Sequence, residues 1–358
     1  MATVLVVGLG DLGSRVLDVL ARSPRIGRLV GSGRDVDRGE ARAAQCRLVA
    51  ALQEGARHVE FARNDVSDIA ATASLLHSFD PAVIVTAASR HTWWRRAVDD
   101  VPYGAWLPLQ LTLVRDLVRA RNESGIAAPV VCLPFPDNVG PALAPLGLAP
   151  DLGAGNVTET AAKLELLAGE GADARLVMHH AAQRYAFPDF APLGGGEVDE
   201  PPWAAEVRVG EELLPDEQVR ELFHAPWPLP WGGESHDLTA AATAQIVEAL
   251  LSGEPVRTHA PAPGGRPGGY PLLVGAGRIE LDLPASLSEE EAVAMNARAA
   301  RWDGLERVEP DGTLVFTDAV AQATERQLGI RIERVAPADT DAVADELERA
   351  RDRWNASM

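Results

Sequence analysis

Apolar and polar positions along the first 136 residues fall into blocks that switch between two periods. Residues 3–7, TVLVV, form a short apolar run. They lead into GLGDLG and then an amphipathic run with Val16, Leu17, Leu20 and Ala21 on one helical face. RLVGSGR (28–34) reads as a second strand ending in a Gly-Ser-Gly turn, 38–53 has helical spacing, and HVEFARND (58–65) reads as a third strand. Residues 66–79 predict a helix capped by Ser67 or Asp68. PAVIVTAAS (81–89) predicts a short buried strand with Pro81 at its start, where no ladder donor is lost. A long helix is expected over 107–125 and another strand over 129–136. Strands alternating with helices predict a parallel, doubly wound sheet of the Rossmann type.

Near residue 153 the pattern changes, which suggests a dinucleotide-binding domain over 1–153 and an α+β substrate and oligomerisation domain over 154–358. Residues 159–170 read as helix, and ARLVMHHAAQRYAF (174–187) as strand. A loop-rich stretch containing PLGGGE and HAPWPLPWGGE (224–234) leads to a long helix over 235–254. After the Pro/Gly-rich 260–271 come strand, turn, strand and helix. The tail, 337–356, carries Val343, Leu347, Ala350 and Trp354 on one helical stripe, the mark of a core or subunit contact.

The glycines at 8, 10 and 13 follow a strand and open a helix, the setting in which G-x-G-x-x-G has a physical job. The first makes the tight turn, the second lets backbone approach a diphosphate, and the third brings helix and strand together. Gly8, Gly10, Asp11, Leu12 and Gly13 are therefore candidate cofactor residues, with the phosphates on the free N–H groups of the helix N-terminus. At the end of the second strand, where an acidic residue would accept from a ribose hydroxyl, the chain has Gly31, Ser32, Gly33 and Arg34. Small residues leave room for a 2′-phosphate and Arg34 can pair with it, which favours NADP; Asp35 and Asp37 keep NAD open.

Composition narrows the field. A net charge of −19 argues against nucleic acid or an anionic membrane as the main partner and leaves a small molecule. Cys46 and Cys132 form neither a metal spacing nor a disulfide framework, so no metal is expected and a reducing cytoplasm fits. No apolar run is long enough to span a bilayer, and the early first strand leaves no room for a signal peptide. Lys163 is the single lysine. With Glu at 159, the Tyr-x-x-x-Lys motif of short-chain dehydrogenases cannot exist here.

The order of segments resembles the lactate/malate dehydrogenase superfamily over most of the chain. VIVTAASR (83–90) resembles the family's fourth strand and loop entry, placing Thr86, Ala87 and Ala88 against the cofactor and Arg90 near the substrate. Residues 107–143 are similar to the following helix, strand and post-strand turn. DLGAGNVTETAAKL resembles the domain junction, with Asn156 facing substrate. ESHDLTAAATAQIVEALLSGE resembles the long substrate-domain helix, with Thr239 near a substrate position. The resemblance implies an oxidoreductase assembled as a homodimer or homotetramer.

The family's chemistry needs a histidine acid/base, an aspartate holding it, an arginine clamping the substrate carboxylate and a loop arginine. The aspartate position falls on Thr158 and the clamp on Ala161, so lactate and malate are poor substrates to expect. Glu159 and Lys163 offer an alternative carboxylate and cation. Arg95 and Arg96 stand near the loop-arginine position. The acid/base is His180, with His236 as its rival, and His179 and Arg184 are candidate substrate contacts. Two other readings stay open: a nucleotide-binding sensor without catalysis, and a redox-neutral NAD-dependent epimerase- or glycosidase-like enzyme.

Overall fold

The computed structural model describes residues 1–56, 58–90, 101–187, 199–230 and 232–357. The described residues of the first half alternate strand and helix: β1 (Ala2–Val7), α1 (Asp11–Leu20), β2 (Ile26–Gly33), α2 (Val36–Leu52), β3 (His58–Arg63), α3 (Ile69–Phe79), β4 (Val83–Thr86), α4 (Leu107–Ser124), β5 (Val130–Cys132), α5 (Pro136–Leu143) and β6 (Leu152–Gly153). The six strands form one sheet in the order β3-β2-β1-β4-β5-β6, with parallel pairing throughout. Val4 and Val6 of β1 enter one apolar cluster, and Leu5 and Val7 enter another. Strand alternation sends neighbouring side chains to opposite faces, so both faces are covered by helices, and an uninterrupted apolar run is what such a strand requires. The α3 cap is Asp68, whose carboxylate accepts from the Ala71 N–H.

The second half follows as α6 (Asn156–Ala168), β7 (Ala172–Met178), α7 (Gln183–Ala186), β8 (Trp203–Val209), β9 (Glu212–Leu213), α8 (Asp216–His224), α9 (His236–Leu250), β10 (Val256–Pro261), β11 (Gly269–Gly275), β12 (Arg278–Leu281) and α10 (Glu289–Ala299). Its antiparallel sheet runs β10-β11-β7-β8-β9, with β12 added beside β11. Helix α9 packs along α1, so the two halves share a core in which Ile246 and Val247 join Val16 and Leu17.

A terminal unit closes the chain: β13 (Leu305–Val308), β14 (Leu314–Phe316), α11 (Asp318–Leu328), β15 (Arg334–Val335) and α12 (Thr340–Ser357). It does not stay with the second half. Leu347 and Ala350 of α12 are buried with Leu107, Leu111 and Val114 of α4, and Val343 and Trp354 flank them. The terminal stripe is thus a core contact. Across the same seam Arg90 pairs with Asp345 and Glu348, and Arg115 pairs with Asp341.

Three expectations need correction. The strand expected over 174–187 ends at Met178; a turn at His180–Ala182 and the short α7 follow, so the paired histidines do not lie on a strand. The strand over 129–136 ends at Cys132, and Pro136 begins a helix, where its fixed φ is already helical. The loop-rich stretch also contains β8, β9 and α8; β8 is mostly half-buried and β9 exposed, so neither alternates, whereas α8 buries Val219 and Phe223 on one face.

Candidate active site

In a doubly wound sheet the strand order reverses beside β1, and a crevice opens past the carboxyl ends of β1 and β4. A groove of about 710 Å³ lies there, walled by Gly8, Gly10, Asp11, Leu12, Gly13, Ala87 and Ala88 and extending to Arg34, Arg38 and Asn64. The three glycines are used differently. Gly8 has φ +90°, and a Cβ on it would lie 2.7 Å from the backbone of Ala88. A Cβ on Gly13 would lie 1.9 Å from the Gly8 carbonyl oxygen. Gly10 has an ordinary φ of −70°, and nothing lies within 4 Å of where its Cβ would be. The fold itself demands the outer two; Gly10 leaves open space at the start of α1, where unbonded N–H groups face outward. The residues fit a diphosphate.

Two expected cofactor residues turn inward instead. Ser32 is fully buried; its hydroxyl donates to the Val6 carbonyl at 3.4 Å and its own carbonyl accepts from the Gly8 N–H at 2.9 Å. Thr86 is also fully buried, and its hydroxyl oxygen accepts from the Ala88 N–H at 3.3 Å. Both shape the turns that border the groove, because small hydroxyl residues at strand ends bond to nearby backbone. Arg34 lines the groove, and the Asp35 carboxylate caps α2 by accepting from the Arg38 N–H at 3.0 Å.

A second, smaller cavity of about 100 Å³ adjoins the groove, and the two share Leu12, Tyr103, Leu133 and His236 as walls. His180 lies in it. Its Nδ1 bonds Asp303 Oδ2 at 2.8 Å, and its backbone N–H donates to Asp137 Oδ1 at 2.9 Å. Its ring stacks on Tyr103, with centroids 4.2 Å apart, and Tyr103 stacks in turn on Phe135 at 3.7 Å. Phe135 takes a left-handed φ of 42° to enter α5, a strained backbone of the kind that clusters at functional sites. Burial pulls the His180 imidazole down, but Asp303, with Asp137 and Glu159 nearby, outweighs it and lifts the pKa above its ordinary value. Burial pushes the Asp303 carboxyl up, and His180 holds it below the usual range. A carboxylate on Nδ1 makes that nitrogen the donor and turns Nε2 toward the cavity; among the described residues no hydrogen bond engages Nε2.

His179 is structural. It is fully buried, its Nδ1 accepts from the Ala181 N–H at 3.2 Å, and Nε2 bonds Asn138 Oδ1 at 3.1 Å, an arrangement that suits the neutral ring burial favours. It lines neither the groove nor the cavity, away from the substrate contact expected of it. Glu159 lines the cavity but does not hold the histidine: its oxygens accept from Thr239 Oγ1 and Gln183 Nε2, each at 2.9 Å. Lys163 is buried away from the cavity, donating to the carbonyls of Ala186 and Phe223, so it cannot stand in for a substrate cation. Thr158 donates to the His259 carbonyl at 2.7 Å. Arg90 is taken by the ion pairs to α12 and lies on the groove side, not in the small cavity.

Asn156, Arg184 and Thr239 line the cavity as expected. Asn156 donates to Asp137 Oδ2 at 3.2 Å, and Arg184 donates to the Tyr185 hydroxyl at 2.8 Å and lies over that ring. His236 stands at the shared wall with Nδ1 bonded to Asp11 Oδ2 at 2.7 Å. Arg95 and Arg96 lie outside the described residues. Sequence reasoning missed Asp303, Asn138, Asp137, Tyr103 and Gln183. For Asp137 and Asn138 a signal existed, since PDN follows the carboxyl end of a parallel strand, where ligands bind.

No family model matches the chain, and no curated protein does. Solved structures do. A lactate dehydrogenase from Cryptosporidium parvum, complexed with lactic acid and β-nicotinamide adenine dinucleotide, is 13% identical with a TM-score of 0.56, over 84% of this chain and 95% of that one. A malate dehydrogenase from Plasmodium falciparum is 12% identical with a TM-score of 0.55, over 91% and 99%. One from Salinibacter ruber is 15% identical with a TM-score of 0.52, over 98% and 99%. This is the lactate/malate dehydrogenase fold. Among the described residues no helix is long and apolar enough to cross a membrane, and no cluster of three His, Cys, Asp or Glu could hold a metal.

Proposed function

We propose that the protein is an NAD(P)-dependent oxidoreductase acting on a carbon that bears a hydroxyl or a carbonyl. The observation that carries this reading is the His180–Asp303 pair, set in a cavity that shares its walls with the glycine-lined groove. When bound, the nicotinamide would supply or accept the hydride. The chain's own residues do the rest. The first-turn N–H groups of α1 would hold the diphosphate beside Gly10, and Arg34, which lines the same groove, would pair with the 2′-phosphate of NADP.

His180 gives a proton from Nε2 to the carbonyl oxygen in reduction and takes it from the hydroxyl in oxidation. Asp303 is the positioning residue: it fixes the ring through Nδ1 and stabilises the imidazolium. A raised pKa keeps His180 charged to higher pH, which favours the reducing direction near neutrality. Fixed charge and orientation, not covalent chemistry, are this chain's contribution.

The test is cofactor oxidation by the whole protein across a panel of carbonyl compounds, with His180→Gln alongside. The variant should bind cofactor normally and lose about 10²–10⁴-fold in kcat/KM. Tight cofactor binding without turnover on any compound would favour the sensor reading instead.

A further inference from the structure

We infer that the small cavity selects a neutral carbonyl compound bearing a hydroxyl group, which donates a hydrogen bond to Glu159, and rejects the carboxylates that enzymes of this fold take in the solved complex above. The inference rests on the oxidoreductase reading and names its substrate class. Glu159 is held from one side by two neutral donors, Thr239 Oγ1 on one oxygen and Gln183 Nε2 on the other. Each carboxylate oxygen keeps a second lone pair, and Glu159 lines the cavity. Among the described residues no cation pairs with it, and Arg184 is engaged by the hydroxyl and ring of Tyr185.

A second carboxylate, Asp303, lines the same cavity, its charge matched by His180. The helix position that would present a clamping arginine holds Ala161, which is buried in the core. A substrate carboxylate entering here would meet the like charge of Glu159, whose hydrogen-bond partners among the described residues are both neutral, in a partly desolvated site. A hydroxyl would meet an acceptor with a free lone pair, and the amides of Asn156 and Gln183 add donors around it. In the step implied, His180 gives its proton to the carbonyl oxygen while reduced nicotinamide, when bound, would supply the hydride to the carbonyl carbon, so that the product carries one more hydroxyl and the cofactor is left oxidised.

The experiment measures NADPH and NADH oxidation with glycolaldehyde, glyceraldehyde and dihydroxyacetone against glyoxylate, pyruvate and oxaloacetate, for the wild type and Glu159→Gln. The expected result is kcat/KM at least about tenfold higher for the hydroxy compounds. Glu159→Gln should cut that ratio by at least about fivefold while its melting temperature stays close to wild type. Equal or better use of the carboxylates, or an unchanged ratio in the variant, overturns the inference. If cofactor binds and no compound oxidises it, the oxidoreductase reading falls by itself, and selection is then read from binding. Thermal stabilisation of the cofactor complex by erythritol but not by lactate or malate supports the inference; stabilisation by the acids, or by none of them, overturns it.

Discussion

Replacing Gly10 separates a ligand-binding glycine from the two that the fold requires. A side chain at Gly13 would have to sit 1.9 Å from the Gly8 carbonyl oxygen, and one at Gly8 would meet Ala88 backbone at 2.7 Å from a left-handed φ. Neither obstacle can rotate away, so Gly8→Ala and Gly13→Ala should both lower the melting temperature sharply. Gly10 differs. With φ −70° and no atom within 4 Å, Gly10→Val strains nothing in the protein alone.

Stiffening the unfolded chain adds about 0.4–1 kcal/mol, and the loss of glycine at an N-cap removes a similar amount. Net stability should hardly move. The side chain would instead occupy the space through which a diphosphate reaches the first-turn N–H groups of α1. Each such hydrogen bond to a charged group is worth about 1.5–3 kcal/mol, so losing two weakens binding by about 10²–10⁴-fold. Calorimetry with all four pyridine nucleotides and a thermal melt would measure both quantities. Unchanged nucleotide binding by Gly10→Val, or a melt as damaged as that of Gly13→Ala, would refute the reasoning.

Three further outcomes follow from the site and the core. Arg34→Ala should weaken NADP by about tenfold or more and leave NAD nearly unchanged, read by the same calorimetry; equal losses would remove the 2′-phosphate assignment. Asp303→Asn should leave burial to lower the His180 pKa, so the pH at which carbonyl reduction is lost, normally above the ordinary 6.5, moves in the acid direction. A purely structural role would lower kcat at every pH without moving that limb. His259 is buried, its Nε2 accepts from the Leu176 N–H at 3.1 Å, and burial lowers its pKa to about 3. The folded state then refuses a proton that the unfolded chain takes up below 6.5, so stability is intact above 6.5 and falls with acid. From pH 6.5 to 4 the loss is about 3 kcal/mol at 1.36 kcal/mol per unit, seen as a falling melt that His259→Gln should flatten.

The legible parts of this molecule are those whose cause is local. TVLVVGLGDLG carries strand, turn and helix start within eleven residues, and Asp68 caps α3 through an N–H only three residues on. The long amphipathic helices α4, α9 and α12 declare themselves by periodicity over many turns. The terminal β13, β14 and β15, two to four residues each, carry no such period, and neither does β9.

That His180 lies beside the cleft follows from the polar run that ends an apolar strand, yet its partner was not legible. Asp303 lies 123 residues further on, in a turn after α10 that no motif marks. The resemblance at the domain junction pointed to Glu159, next to the Thr158 that takes the family's aspartate position, but the fold gives Glu159 to Thr239 and Gln183. A pairwise role of this kind depends on where the terminal unit docks, and that docking is set by apolar burial of α12 on α4, not by the carboxylate itself. The consequence can be checked on the chain. Weakening the α12–α4 seam by Leu347→Ala, which removes a fully buried side chain at a cost of about 2–5 kcal/mol, should move the His180 pH limb in the same acid direction as Asp303→Asn. A Leu347→Ala protein that loses stability but keeps the wild-type pH limb would show that Asp303 is held by its local turn alone.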